Sequence, residues 1–199
     1  MRDRSWVLFF AACAACAFLG LNVGGQTPPP LRVMPLGDSI TYGVSTPGGY
    51  RLPLYVALTN QGFNIDLVGT ATGNSAPGLG DEINHQGHSG WRISAASQGL
   101  YENILSWLAQ IDDPDVVLLH VGTNDTNDPD FEHAIDELDA LILRIAEARP
   151  YAHIVATTLM KRGTDDTEPK YIAITNYFNP YVLGRVQAHQ AAGRRVHFL

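Results

Sequence analysis

Two apolar runs of strand length, Leu31–Leu36 and Val116–Val121, each close on a glycine followed by polar residues. The first runs into Gly37-Asp38-Ser39-Ile40-Thr41 and the second into Gly122-Thr123-Asn124-Asp125. Short apolar runs bounded in this way read as strands. In a parallel sheet, the loops leaving neighbouring strands gather at one edge, where ligands bind. A serine on one such loop and an asparagine on another can then face each other as nucleophile and oxyanion donor, which points to acyl transfer.

The rest of the chain supplies helices between strands. After Leu31–Leu36 the pattern predicts a helix over 50–61, with Pro53 in its first turn and Gly62 as its stop. A strand is predicted over 64–70, then a Gly-, Asn-, Ser- and Pro-rich loop over 71–81 and a short strand and turn over 83–91. A helix over 95–109 leads into a strand over 115–121. The next helix, 128–148, has Asp128 as its N-cap and Pro129 in its first position. Its apolar face is Phe131, Ile135, Leu138, Ile142 and Ile145. A strand over 151–159, a helix over 174–192 and a β-type run over 195–199 follow. Strands alternating with helices imply parallel pairing, right-handed crossovers and a three-layer α/β/α sandwich.

Composition narrows the setting. The 199 residues have room for one domain. Hydrophobic content of 45% and charged content of 17% suit an ordinary globular chain. Arg2 and Arg4, an apolar stretch over 6–23 and Gly24-Gly25 read as a signal peptide over 1–25, with a Pro-rich spacer over 26–30 and the domain over 31–199. The alternative is a retained membrane anchor. Cleavage implies a secreted or periplasmic protein with no stable membrane association. Cys13 and Cys16 both fall in the leader, so no disulfide framework is expected in the mature chain. A formal net charge of −7 argues against nucleic acid as a partner.

Each motif has a plain reading beside the chemical one. Asp38-Ser39 could simply cap the segment that follows it. Asn124 could be a turn residue, or offer its amide to an oxyanion; the glycosylation sequon Asn124-Asp125-Thr126 is expected to be unused. Gly90, in His85-Gln86-Gly87-His88-Ser89-Gly90-Trp91, could be a turn glycine or could present its N–H to a ligand. His85 and His88 lie three apart with no third ligand nearby, so no metal site is expected and both read as residues lining a cleft. His120 reads as a satisfied core histidine. Tyr50 and Arg51 open a helix near the Ser39 loop. There is no Gly-x-Ser-x-Gly elbow, phosphate loop or dinucleotide glycine pattern, and no cofactor is expected.

In order and spacing, Gly37-Asp38-Ser39-Ile40-Thr41, His88-Ser89-Gly90-Trp91 and Gly122-Thr123-Asn124-Asp125 resemble the first three blocks of the SGNH (GDSL-type) hydrolase superfamily. Met34-Pro35-Leu36-Gly37-Asp38-Ser39, Gly49-Tyr50-Arg51 and Leu119-His120-Val121-Gly122 bring the chain nearer to carbohydrate esterase family 3, the secreted acetylxylan esterases. The resemblance runs over 31–199. It implies a flavodoxin-like sheet of strand order 2-1-3-4-5 whose last strand and helix are truncated here. It also implies Ser39 as nucleophile and an oxyanion hole made by the N–H groups of Ser39 and Gly90 with the amide of Asn124. Asp38, Tyr50, Arg51, His88 and Trp91 would contact substrate. The substrate would be an acylated carbohydrate or another small ester, with acetyl groups on plant polysaccharide as the expected case.

The superfamily's Asp-x-x-His block, which supplies the base, normally lies after the fifth strand, and the sequence reaches Leu199 as that strand begins. His189 reads as a helix residue and His197 as part of a strand. Losing the base from such a hydrolase costs roughly a millionfold in turnover, so these 199 residues are expected to form a poor or inactive esterase, as a fragment would. Two other readings are a non-catalytic carbohydrate-binding relative and an SGNH lipase or thioesterase.

Overall fold

A computed structural model describes residues 29–128, 131–160 and 167–199 of the chain. Residues 1–25, expected to form a leader, and Pro129 lie outside the described residues. The strands are β1 (Leu31–Gly37), β2 (Ile65–Leu67), β3 (Gln86–Gly87), β4 (Val116–His120), β5 (His153–Ala156) and β6 (Val196–Phe198). The helices are α1 (Ser39–Tyr42), α2 (Arg51–Thr59), α3 (Leu100–Leu108), α4 (Ala134–Ala148), α5 (Pro169–Ile172) and α6 (Asn179–Ala191). The strands form one parallel sheet in the order β2-β1-β4-β5-β6. Two-residue β3 continues the β2 edge, pairing Leu36 and Gly37 of β1 with Gln86 and Gly87. Setting that short piece aside, the order is the expected 2-1-3-4-5. Val196–Phe198 pairs with Ile154–Ala156 through all three of its residues.

Residues on each strand alternate between two apolar layers, because successive side chains leave a strand on opposite faces. Met34, Leu36, Val117, Leu119, Ile154, Ala156 and Val196 pack against α3, α4 and α6. Val33, Leu67, Leu118 and Val155 face the other way, toward Leu54 and Leu58 of α2. Among the described residues no helix is long and apolar enough to cross a membrane.

Several boundaries differ from the sequence pattern for local reasons. The helix expected from residue 95 starts at Leu100, because Gly99 is extended and bridges to Arg92. Asp128 does not cap the next helix. It is extended (φ −80°, ψ 147°), its carboxylate is taken by Arg92, and α4 begins only at Ala134 after a 3₁₀ turn at Phe131–His133. The strand expected over 64–70 ends at Leu67; at Gly69 (φ +156°) a Cβ would lie 2.2 Å from the His85 carbonyl oxygen. The last helix starts earlier than expected and is built in three parts, α5, a π-helical segment Ala173–Phe178 and α6. The strand expected over 151–159 stops at Ala156, and Asn179 takes both backbone groups of Leu159, accepting its N–H at 2.8 Å and donating to its carbonyl at 2.9 Å.

Candidate active site

The site is built at the carboxyl ends of β1, β3 and β4. Gly37 pairs with His120, and a Cβ on it would sit 2.0 Å from the His120 carbonyl oxygen, so only glycine lets the two strands close here. Asp38 then leaves the strand and accepts the Ile40 N–H through Oδ1 at 2.9 Å, capping α1. Ser39 is the first residue of that turn and is partly exposed. Tyr42 N–H donates to Asp38 O and Gly43 N–H to Ser39 O, both at 2.9 Å, with Gly43 in the left-handed region at φ +86°.

The next loop is tied to the same strand end, His88 N–H donating to Gly37 O at 2.9 Å. Gly90 is exposed at φ +84°, a conformation other residues adopt only under strain. The His88 ring stacks on Trp91 and on Trp107, with centroids 4.5 and 4.4 Å away. Burial pushes the His88 imidazole down to about 4.

Three consecutive residues of this loop bond to the loop after β4. Asn124 Nδ2 donates to Trp91 O at 2.6 Å. Arg92 and Asp128 form a two-pronged ion pair, one prong at 2.8 Å. Asp125 Oδ1 accepts the Ile93 N–H at 3.0 Å. Asp125 is 4% exposed, and burial drives its carboxyl up to about 7. The Ser39 turn, the Gly90 loop and the Asn124 turn are thereby held to one sheet edge. Among the described residues, no group takes the N–H of Ser39 or of Gly90. Asn124 spends one amide hydrogen on Trp91 and has a second to offer.

The other expected site residues are distributed differently. Asp38 and Arg51 are both 0% exposed, so neither side chain reaches the surface where the sequence reading placed it against substrate. Asp38 serves as the helix cap, and Arg51 turns inward onto backbone carbonyls. Tyr50 is partly buried; its hydroxyl receives a long bond from Thr41 at 3.4 Å, and burial pushes the phenol up to about 12. Trp91 remains partly exposed beside Gly90. His85 does not line a cleft. It is buried, with Nε2 2.8 Å from Gly73 O and Nδ1 accepting from Gly87 N–H at 3.0 Å. His120 is buried as expected but not satisfied, since neither ring nitrogen has a hydrogen-bond partner among the described residues. Burial lowers its basicity, opposed by nearby Asp38.

His120 also borders an apolar cavity of about 380 Å³ between α2 and the β4–β5 face, with Tyr50, Leu54, Leu118, Val155 and Leu159 in its wall. Ser39, Gly90 and Asn124 do not line it. Among the described residues no imidazole is hydrogen-bonded to Ser39, and no group of three His, Cys, Asp or Glu is placed to hold a metal. His197 pairs with His153 at 2.8 Å across β5 and β6, and His189 Nε2 lies 3.1 Å from Asp139. Sequence reasoning missed Trp107 and the tie from Asp125 to Ile93. Asp125 stood in the second loop motif, but its partner is 32 residues away.

The sequence pattern of the GDSL-like Lipase/Acylhydrolase family matches residues 36–193. A multidomain esterase of Ruminococcus flavefaciens is 33% identical over 135 residues, covering 60% of this chain. The match spans only 18% of that relative's length. A family 3 carbohydrate esterase of Clostridium thermocellum superposes with a TM-score of 0.70 at 35% identity, over 85% of this chain and 77% of that one. A family 3 carbohydrate esterase of Talaromyces cellulolyticus gives 0.64 at 25% identity, over 84% and 78%.

Proposed function

Since the chain belongs to the GDSL-like lipase/acylhydrolase family, we propose that it is a secreted serine esterase that removes short acyl groups, above all acetyl, from polysaccharide. One observation carries the site assignment: two N–H groups without acceptors among the described residues, at Ser39 and Gly90, share a sheet edge with the half-used amide of Asn124. In this reading Ser39 Oγ bonds to the acyl carbon while a base takes its proton, and the carbonyl π pair moves onto oxygen. The three donors stabilise that oxyanion, each by about 2.7–4 kcal/mol. Collapse expels the sugar alkoxide, which takes the proton from the base, and water then hydrolyses the acyl-serine. The carbohydrate substrate is supported by the kinship with family 3 carbohydrate esterases, and export by the leader-like residues 1–25.

The base is the part these residues do not supply by contact. With no imidazole bonded to Ser39 among the described residues, we infer that the 199 residues alone turn over slowly. An Asp-x-x-His segment joined after Leu199 should restore the rate. The test is acetate release from acetylated xylan and p-nitrophenyl acetate, with Ser39→Ala as the control. Loss of release in the control supports the assignment. Binding of acetylated xylan without turnover above the control, even with the added segment, would instead identify a carbohydrate-binding relative.

The apolar cavity beside His120 favours a second reading, in which longer acyl chains are the substrate. A strong preference for octanoyl over acetyl esters would displace the carbohydrate assignment.

A further inference from the structure

Arg51 is 0% exposed and has the largest of the fully buried side chains. A guanidinium taken out of water needs compensation, ordinarily from a carboxylate. Among the described residues none is in ion-pair range of it. Its partners are backbone carbonyls instead: Nη1 donates to Ile83 O at 3.3 Å, and Nη2 is shared among Asn74 O at 3.0 Å, Tyr42 O at 3.3 Å and Gly73 O at 3.5 Å. Tyr42 is the last residue of α1, the four-residue turn that Ser39 opens.

A single helical turn does not hold its own shape, since nucleation costs more than one or two bonds return. This one is gripped from outside at its far end. Arg51 holds the Tyr42 carbonyl directly, and Asn74 donates to the same carbonyl at 3.1 Å and also to that of Gly43. Asn74 itself stands at φ +50°, a left-handed conformation, with its own carbonyl on Arg51. Three backbone segments, at 42, 73–74 and 83, thus meet on the Arg51 side chain.

We propose that Arg51 is a positioning residue for the nucleophile, its buried guanidinium fixing the turn that aims the Ser39 hydroxyl. The proposal rests on the reading of Ser39 as nucleophile. Lysine keeps the charge but loses the planar fork, so it can satisfy only part of this carbonyl set.

The test combines Arg51→Met and Arg51→Lys with two measurements. The first is amide hydrogen exchange at Tyr42 and Gly43, compared with Leu118 and Ile154 in the sheet. The second is the rate of Ser39 acylation by p-nitrophenyl acetate. In Arg51→Met the amides of Tyr42 and Gly43 should exchange at least tenfold faster while the sheet amides hold. Acylation should slow at least tenfold through kcat, with KM unchanged and partial recovery in Arg51→Lys. Unchanged exchange at 42–43, or uniform acceleration across the sheet, overturns the proposal. Should Arg51→Met fail to fold, the same comparison is read on Arg51→Lys, where a smaller but still local acceleration is required. Wild-type turnover in Ser39→Ala would sink the nucleophile assignment alone, and the exchange data would still decide whether Arg51 holds the turn.

Discussion

The Asp125 carboxylate accepts the Ile93 N–H at 3.0 Å while its second oxygen is buried with no partner among the described residues. One oxygen therefore ties the Gly90 loop to the Asn124 turn, and the other penalises ionisation. Burial raises this carboxyl to about 7 in the folded chain. For an acid with a raised pKa, the folded state is favoured at low pH and loses that advantage as pH rises through the folded value. Asp125→Asn should therefore gain stability relative to wild type between pH 5 and pH 8, by on the order of 3 kcal/mol. Urea unfolding at the two pH values checks this, and an equal difference at both would refute it.

Asn124→Ala should cost about 10²–10³ in turnover, the usual loss for one oxyanion donor. It also removes the bond to Trp91 O, so part of the loss will come from a looser Gly90 loop. Amide exchange at Trp91 and Ile93 separates the two contributions. Turnover within threefold of wild type would remove Asn124 from the oxyanion hole.

Gly90→Ala has open space for its new methyl group, with nothing within 4 Å, but keeps a φ of +84°. The penalty is conformational, about 1–2 kcal/mol. The expected result is a small fall in melting temperature with a disproportionate loss of kcat, because the N–H turns away from the oxyanion. A large stability loss with normal kcat would contradict this.

The His85 ring, with both nitrogens engaged, is held neutral, and burial lowers it to about 4. A base with a depressed pKa stabilises the fold above its unfolded value, near 6.5, and loses that contribution as pH falls toward the folded value. Proton NMR of the ring should find it still neutral at pH 5.5. A titration midpoint above 6 would show that the ring is not confined as described.

Gly37→Ala should unfold the chain or lower its stability severely, since the added Cβ would lie 2.0 Å from backbone of the neighbouring strand. The His120 carbonyl is backbone, so although Thr41 Oγ1, 2.5 Å from the same Cβ, could turn aside, no rotamer change relieves the main clash. A folded variant with a near-native melting point would show that β1 and β4 can separate.

The sheet was legible in the sequence because strands such as Val116–His120 are apolar on both faces and are followed at once by a glycine-bearing turn. The Ser39 turn was legible for the same reason, lying directly after such a run. Arg51 was not, because an arginine at the head of a helix normally points into water and nothing local announces four carbonyl acceptors. The false start of the helix at Asp128 has the same origin. Asp128 and Pro129 fit a cap, but Arg92, 36 residues earlier, takes the carboxylate. Hydrogen bonds between distant loops leave no period or spacing to read.

Three successive residues, 91 to 93, lock onto partners at 124, 128 and 125. A one-residue insertion or deletion there would mismatch all of them at once, so that stretch is closed to length variation. Adaptation to a different acyl acceptor must then come through segments outside this register and outside 73–74, which Arg51 and Asn74 tie to the Ser39 turn.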